Sequence, residues 1–143
     1  MWSDRGMHSD MIASYPLRAG LALILALTVA GCESVFDPGK TIILPITALE
    51  APAAVAAGEG VVVRVTVQSG GCRTFQRLEA QRAPGRVTLT ARGRDSSGPS
   101  VSCPADIRTD IREYRIDPPL ADPFTVAAHQ PDGSEMTRVI RVQ

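Results

Sequence analysis

Val61-Val62-Val63-Arg64-Val65-Thr66-Val67 decides the fold. Val61, Val63, Val65 and Val67 fall on one face of an extended chain, and Arg64, Thr66 and Gln68 fall on the other beside Val62. β-Branched side chains at a period of two are what a half-buried strand requires, because successive side chains point to opposite faces of a sheet. Arg86 to Arg94 alternates in the same way, with Val87, Leu89 and Ala91 opposite Thr88, Thr90 and Arg92. Arg73 to Arg82 carries Phe75, Leu78 and Ala80, whose spacing changes parity and predicts a bulge or bend between Phe75 and Leu78. Pro84-Gly85 supplies a turn, so these two segments read as a hairpin.

Further along, Ile107 to Ile116, Pro123 to Gln130 and Glu135 to Val142 read as strands, the last two joined by the turn Pro131-Asp132-Gly133-Ser134. Upstream, Thr41 to Leu49 is β-rich but broken by Pro45, which suits an edge strand or a strand that switches sheets. About seven short antiparallel strands at even spacing, with no 3.6-residue pattern after Cys32, predict a single all-β sandwich.

The chain before this domain has a different character. Arg18 precedes an apolar run of 12 residues, Ala19 to Ala30, followed by Gly31-Cys32 and then Glu33, Asp37, Pro38 and Gly39. A spanning helix needs about 20 apolar residues, so the run is too short for a permanent transmembrane helix. It has instead the positive start, apolar middle and small-residue end of a cleaved signal helix. Val29-Ala30-Gly31-Cys32 resembles a bacterial lipobox. The resemblance implies cleavage before Cys32, a diacylglyceryl thioether on its sulfur and acylation of the new N-terminus. The competing readings are a cytosolic protein with a buried apolar helix and a secreted protein cut elsewhere.

On the lipobox reading, residues 1–31 are a signal peptide, 32–40 a lipidated tether and 41–143 the domain. The protein then sits in the bacterial cell envelope, facing the periplasm or the exterior, with the membrane as its partner through Cys32. Each buried methylene contributes about 0.8 kcal/mol, so two or three acyl chains hold durably. Glu33 to Lys40 reaches at most about 28 Å when extended, which keeps the domain close to the membrane surface. Met11 is an alternative start, and it would remove Trp2 and His8.

Three cysteines divide simply once Cys32 carries lipid. Cys72 and Cys103 remain as an even pair in a compartment that permits oxidation, and a structural disulfide is the natural reading. A metal site or a redox pair is the rival, without CxxC spacing or a nearby histidine to favour it.

Ala51-Pro52, Val55 and Gly58-Glu59 ahead of the valine strand are similar to the opening of bacterial Ig-like domains. Leu120 to Val126, as Leu-x-x-x-Phe-x-Val, resembles their closing Leu-x-x-Gly-x-Tyr-x-Val segment, with Asp122 where glycine is usual. Gly71-Cys72-Arg73-Thr74-Phe75 resembles a segment of small bacterial lipoproteins. The resemblance implies an Ig-like β-sandwich, with one departure: antibody-type domains pack an inter-sheet disulfide on a tryptophan, and none follows Trp2, so the bond is expected to link loops instead. It implies roles such as display, spacing or binding of another envelope component, without naming a ligand.

Residues that could carry chemistry are sparse. His129 is the sole histidine after His8, and no GxSxG elbow follows Cys32. Asp106 with Asp110, or Asp117 with Asp122, would serve as paired acids, against the commoner roles of turn and cap. Asp95, Asp106, Asp110, Asp122 and Asp132 are scattered loop acids without an EF-hand run, to be weighed between a calcium site and ordinary solvation. No catalytic residue, metal ligand or cofactor is expected.

Overall charge is balanced at 15 basic and 15 acidic residues, but its distribution is uneven. Residues 61–94 hold Arg64, Arg73, Arg77, Arg82, Arg86, Arg92 and Arg94 against Glu79, whereas residues 95–135 are acid-rich. Cross-strand ion pairs and solvated faces account for such a pattern. The sharper expectation is one basic face of Arg73, Arg77, Arg82, Arg86, Arg92 and Arg94 that meets anionic lipid or an acidic envelope polymer. Nucleic acid is a poor partner, with only Phe75 interleaved among these arginines. The expected function is a structural or protein-interaction module of the envelope, without catalysis. A small-ligand or metal-binding lipoprotein and the basic-face module are the alternatives.

Overall fold

The computed structural model describes residues 39–143. The expected signal helix, Val29 to Cys32 and the tether as far as Pro38 lie outside the described residues. Nine strands follow in chain order: β1 (Lys40–Ile43), β2 (Ile46–Glu50), β3 (Ala54–Val55), β4 (Val61–Ser69), β5 (Arg73–Ala83), β6 (Arg86–Asp95), β7 (Arg108–Ile116), β8 (Phe124–His129) and β9 (Glu135–Val142). No helix occurs among the described residues. The strands form a six-stranded and a three-stranded sheet.

Pro45 marks the crossing between them. β1 pairs antiparallel with β6 in the larger sheet, while β2 pairs antiparallel with β4 in the smaller. Leu44 donates its N–H to the Ala91 carbonyl at 2.9 Å, and the Pro45 carbonyl accepts from Gln68 N–H at 3.0 Å. A proline has no N–H to give a ladder, so the switch falls where a donor is dispensable.

The smaller sheet runs β2-β4-β7 and is antiparallel throughout. In the larger sheet β6 is the organising strand. β5 lies along one edge of β6 from Arg73 to Ala83, joined through the Pro84-Gly85 turn, with a register shift between Phe75 and Arg77. The other edge of β6 is divided between β8, opposite Arg86 to Thr90, and β1, opposite Arg92 to Asp95. β8 then pairs with β9, and β9 with β3.

Three features correct the expectation of about seven antiparallel strands. The segment read as Thr41 to Leu49 is two strands, β1 and β2, β3 is an extra two-residue strand, and both β6–β8 and β3–β9 run parallel. Alternation specifies which face a side chain takes but carries no information about the direction of the neighbour.

Val61, Val63, Val65 and Val67 are buried, at most 2 % exposed. They share one core with Val87, Leu89 and Ala91 of β6, Phe124, Val126 and Ala128 of β8, and Ile140 of β9. Both sheets therefore contribute their inner faces to a single cluster, consistent with a β-sandwich. Each fully buried Val, Leu, Ile or Phe contributes about 1.5–3 kcal/mol. Every buried side-chain nitrogen and oxygen among the described residues has a hydrogen-bond partner.

Candidate functional site: the disulfide-tied end

Three connections meet at the end of the domain where β6 finishes. They are the turn from β4 to β5, the long loop from β6 to β7, and the start of β1, whose Lys40 sits opposite Asp95. Cys72 in the first is disulfide-bonded to Cys103 in the second, with Cα atoms 5.1 Å apart. The bond links connections rather than strands.

Hydrogen bonds reinforce the tie. Gly71 N–H donates to Asp106 Oδ1 at 2.9 Å and to the Asp106 carbonyl at 3.1 Å. Ser96 donates its N–H and its hydroxyl to the Cys72 carbonyl. Gly70 has φ +124°, and a Cβ there would lie 2.2 Å from the Asp106 carbonyl oxygen, so only glycine admits this close approach. A cleft of about 510 Å³ opens here, lined by Pro45, Gly71, Cys72, Arg73, Asp95 and Ile107 among others.

The carboxylates of this end are already engaged. Gly71 N–H and then Arg108, at 2.6 Å from Asp106 Oδ2, hold the Asp106 carboxyl below the usual range. Asp95 is lowered by its hydrogen bonds with Ser97 and more weakly by Arg73, 3.3 Å away. Such acids stay ionised and serve as acceptors that fix loops, which makes them poor proton donors near neutrality.

The register divides the six arginines grouped by their sequence. Val87, Leu89 and Ala91 point into the core, so Arg86, Arg92 and Arg94 point outward on β6, and Arg77, opposite Arg92, joins them. Arg82 pairs with inward-facing Val87, and Arg73 pairs with Asp95 at an inward register position. The single basic face is therefore split between the two faces of the hairpin.

Partners further reduce its charge. Glu79 accepts from Arg92 Nε at 2.7 Å and from Arg77 at 2.5 Å, and these two cations, Arg92 first, lower its carboxyl. Arg82 donates to the Pro119 carbonyl at 2.6 Å. Arg86 reaches Thr88 Oγ1 and pairs with Glu135. Since β8 lies between β6 and β9, this arm crosses β8, and Ala127, outward by register, is fully buried.

His129 lies on β8 opposite Glu135, outside this cleft. Asp132 is held below the usual range by the Ser134 hydroxyl and N–H, closing the β8–β9 turn. Asp117 pairs with Arg115 at 3.2 Å, and Asp122 accepts the Val142 N–H at 3.0 Å. Asp110 pairs with Arg112 at 3.0 Å. No group of three or more His, Cys, Asp or Glu with metal-binding geometry occurs among the described residues. No protein-family model, curated protein or solved structure matches the chain.

Proposed function

We propose that the protein is a lipid-anchored module of the bacterial envelope, held through Cys32, whose Ig-like β-sandwich serves a structural or interaction role without catalysis. The observation that carries this reading is the division of its cysteines. Of three in the sequence, Cys72 and Cys103 are joined to each other, and Cys32 ends the apolar run. A disulfide suits an extracytoplasmic compartment, and a cysteine after Val-Ala-Gly suits lipidation.

The Ig-like element draws on the two-sheet arrangement and on the segments at Ala51 to Val67 and Leu120 to Val126. The parallel β6–β8 pair departs from an antiparallel sandwich. The reading without catalysis draws on the ion pairs and hydrogen bonds that engage the acids described above. The test is intact mass and N-terminal mapping of the full chain made in a bacterial host, beside Cys32→Ser. The expected result is a mature N-terminus at Cys32 carrying lipid mass, lost in the variant. An uncleaved, unlipidated product overturns the reading.

A further inference from the structure

The disulfide-tied end exposes apolar side chains where cations gather. Ile107 is 74 % exposed and Val101 50 %, both on the loop from β6 to β7. Leaving an isoleucine in water forfeits much of the ~1.5–3 kcal/mol its burial would contribute. Cys103 and the Asp106–Gly71 bonds hold this loop in place, so Ile107 is presented by a fixed segment. Lys40 and Arg94 are exposed here and have no ion-pair partner among the described residues, whereas the local acids Asp95 and Asp106 are neutralised by Arg73 and Arg108.

Where the rest of the chain joins the domain selects the occupant of this surface. Gly39 lies against Arg94 and Asp95, where a Cβ on it would be 2.7 Å from the Asp95 carbonyl oxygen. Gly39, the first described residue, therefore lies at the end that presents Ile107 and Val101. β6 has ten residues; at about 3.3 Å each, the opposite end of the domain is about 30 Å further away. A tether from Cys32 spanning at most about 28 Å brings this end to a bilayer first.

Resting on the lipid-anchor reading, we infer that Ile107 and Val101 insert at the surface of the bilayer, with Lys40 and Arg94 at the level of anionic headgroups. Apolar side chains with cations at the same end of a domain are the composition that interfacial binding uses, and each basic residue near an anionic surface adds about 1 kcal/mol. Of the arginines on the outer face of β5 and β6, Arg94 belongs to this surface, whereas Arg77, Arg86 and Arg92 are paired with Glu79 and Glu135.

The test uses the full chain made in a bacterial host and reconstituted into vesicles of phosphatidylethanolamine and phosphatidylglycerol with brominated acyl chains. Tryptophan is placed by Ile107→Trp, Val101→Trp or, as a remote reference, Val62→Trp, each with Trp2→Phe. Val62 lies opposite Arg115 toward the far end of the domain and is 48 % exposed, so all three replacements are made at exposed positions. Intact mass records the state of Cys32 in each preparation.

Quenching at 107 and 101 at least about twofold above that at 62, with blue-shifted emission, is the expected result. Lipidated protein with equal quenching at all three sites overturns the surface contact and leaves the anchor standing. Unlipidated protein that is quenched at 107 and 101 supports the contact and overturns the anchor. Unlipidated protein without quenching overturns both.

Discussion

The guanidinium carbon of Arg112 lies 5.0 Å from the centroid of the Phe75 ring, joining the outermost strand of one sheet to that of the other. Arg112 pairs in register with Val65, whose side chain enters the core, and Phe75 pairs with Gly93. Both side chains thus take the inner side of their sheets at the rim between β5 and β7. Asp110 holds the guanidinium at 3.0 Å. A cation over a ring closes the sandwich here without demanding a fully buried residue.

A double-mutant cycle of Arg112→Ala and Phe75→Leu should show a coupling of about 0.5–1 kcal/mol in urea unfolding, the range for exposed cation–π pairs. Additive single-variant losses would mean that the contact contributes nothing of its own.

Replacing both cysteines of the tie, Cys72→Ser with Cys103→Ser, removes a link closing 31 residues. The chain-entropy account expects a loss of about 3–4 kcal/mol, read as a lower urea midpoint than that of the oxidised protein.

Gly93 occupies a place with no room for a methyl group. A Cβ would stand 2.6 Å from Leu44 Cδ1 and 2.7 Å from the Thr74 carbonyl oxygen. Leu44 can shift but the Thr74 backbone belongs to β5, so Gly93→Ala should cost about 1–3 kcal/mol in thermal or urea unfolding.

Asp95, Asp106 and Asp132 all have folded-state carboxyls lowered by their hydrogen bonds. Their contribution is complete above the unfolded carboxylate value of about 4 and is lost as pH falls through the lower folded values. Melting temperature should therefore hold steady from neutrality to about pH 4 on their account and then decline. Asp106→Asn, which still accepts from Gly71 but cannot ionise, should melt lower at neutrality and show a shallower acid decline.

Much of this architecture is legible in the residues themselves. Alternating valines place β4 and its buried face, and Pro45 breaks the first β segment, where of the two readings, an edge strand or a switch of sheets, the chain makes the switch. The changed parity between Phe75 and Leu78 signalled the register shift found between Phe75 and Arg77. That same shift explains the divided arginines. Arg73 and Arg77 are four residues apart and would share a face in a regular strand, but the extra residue Gln76 sends them to opposite faces. β3 was missed because two residues offer no period to read. The pairing of β6 with β8 brings together segments distant in sequence, and nothing local to either specifies that meeting. At the disulfide-tied end the link between two loops is legible from Cys72 and Cys103, whereas the exposure of Ile107 and the convergence of Gly39 on Asp95 depend on the tertiary arrangement.

The way β1 shares an edge of β6 with β8 also determines how the domain bears tension. A pull applied at Gly39 along the axis of β1 meets the first strand before any other. The four register pairs from Lys40–Asp95 to Ile43–Arg92 lie across that axis. Their hydrogen bonds stand perpendicular to the strands, so they share the force in shear instead of opening one after another. Leu44, anchored to Ala91 and buried in the core, is the next stop along the same line. The short first strand is thus a mechanical clamp against tension applied along its own axis.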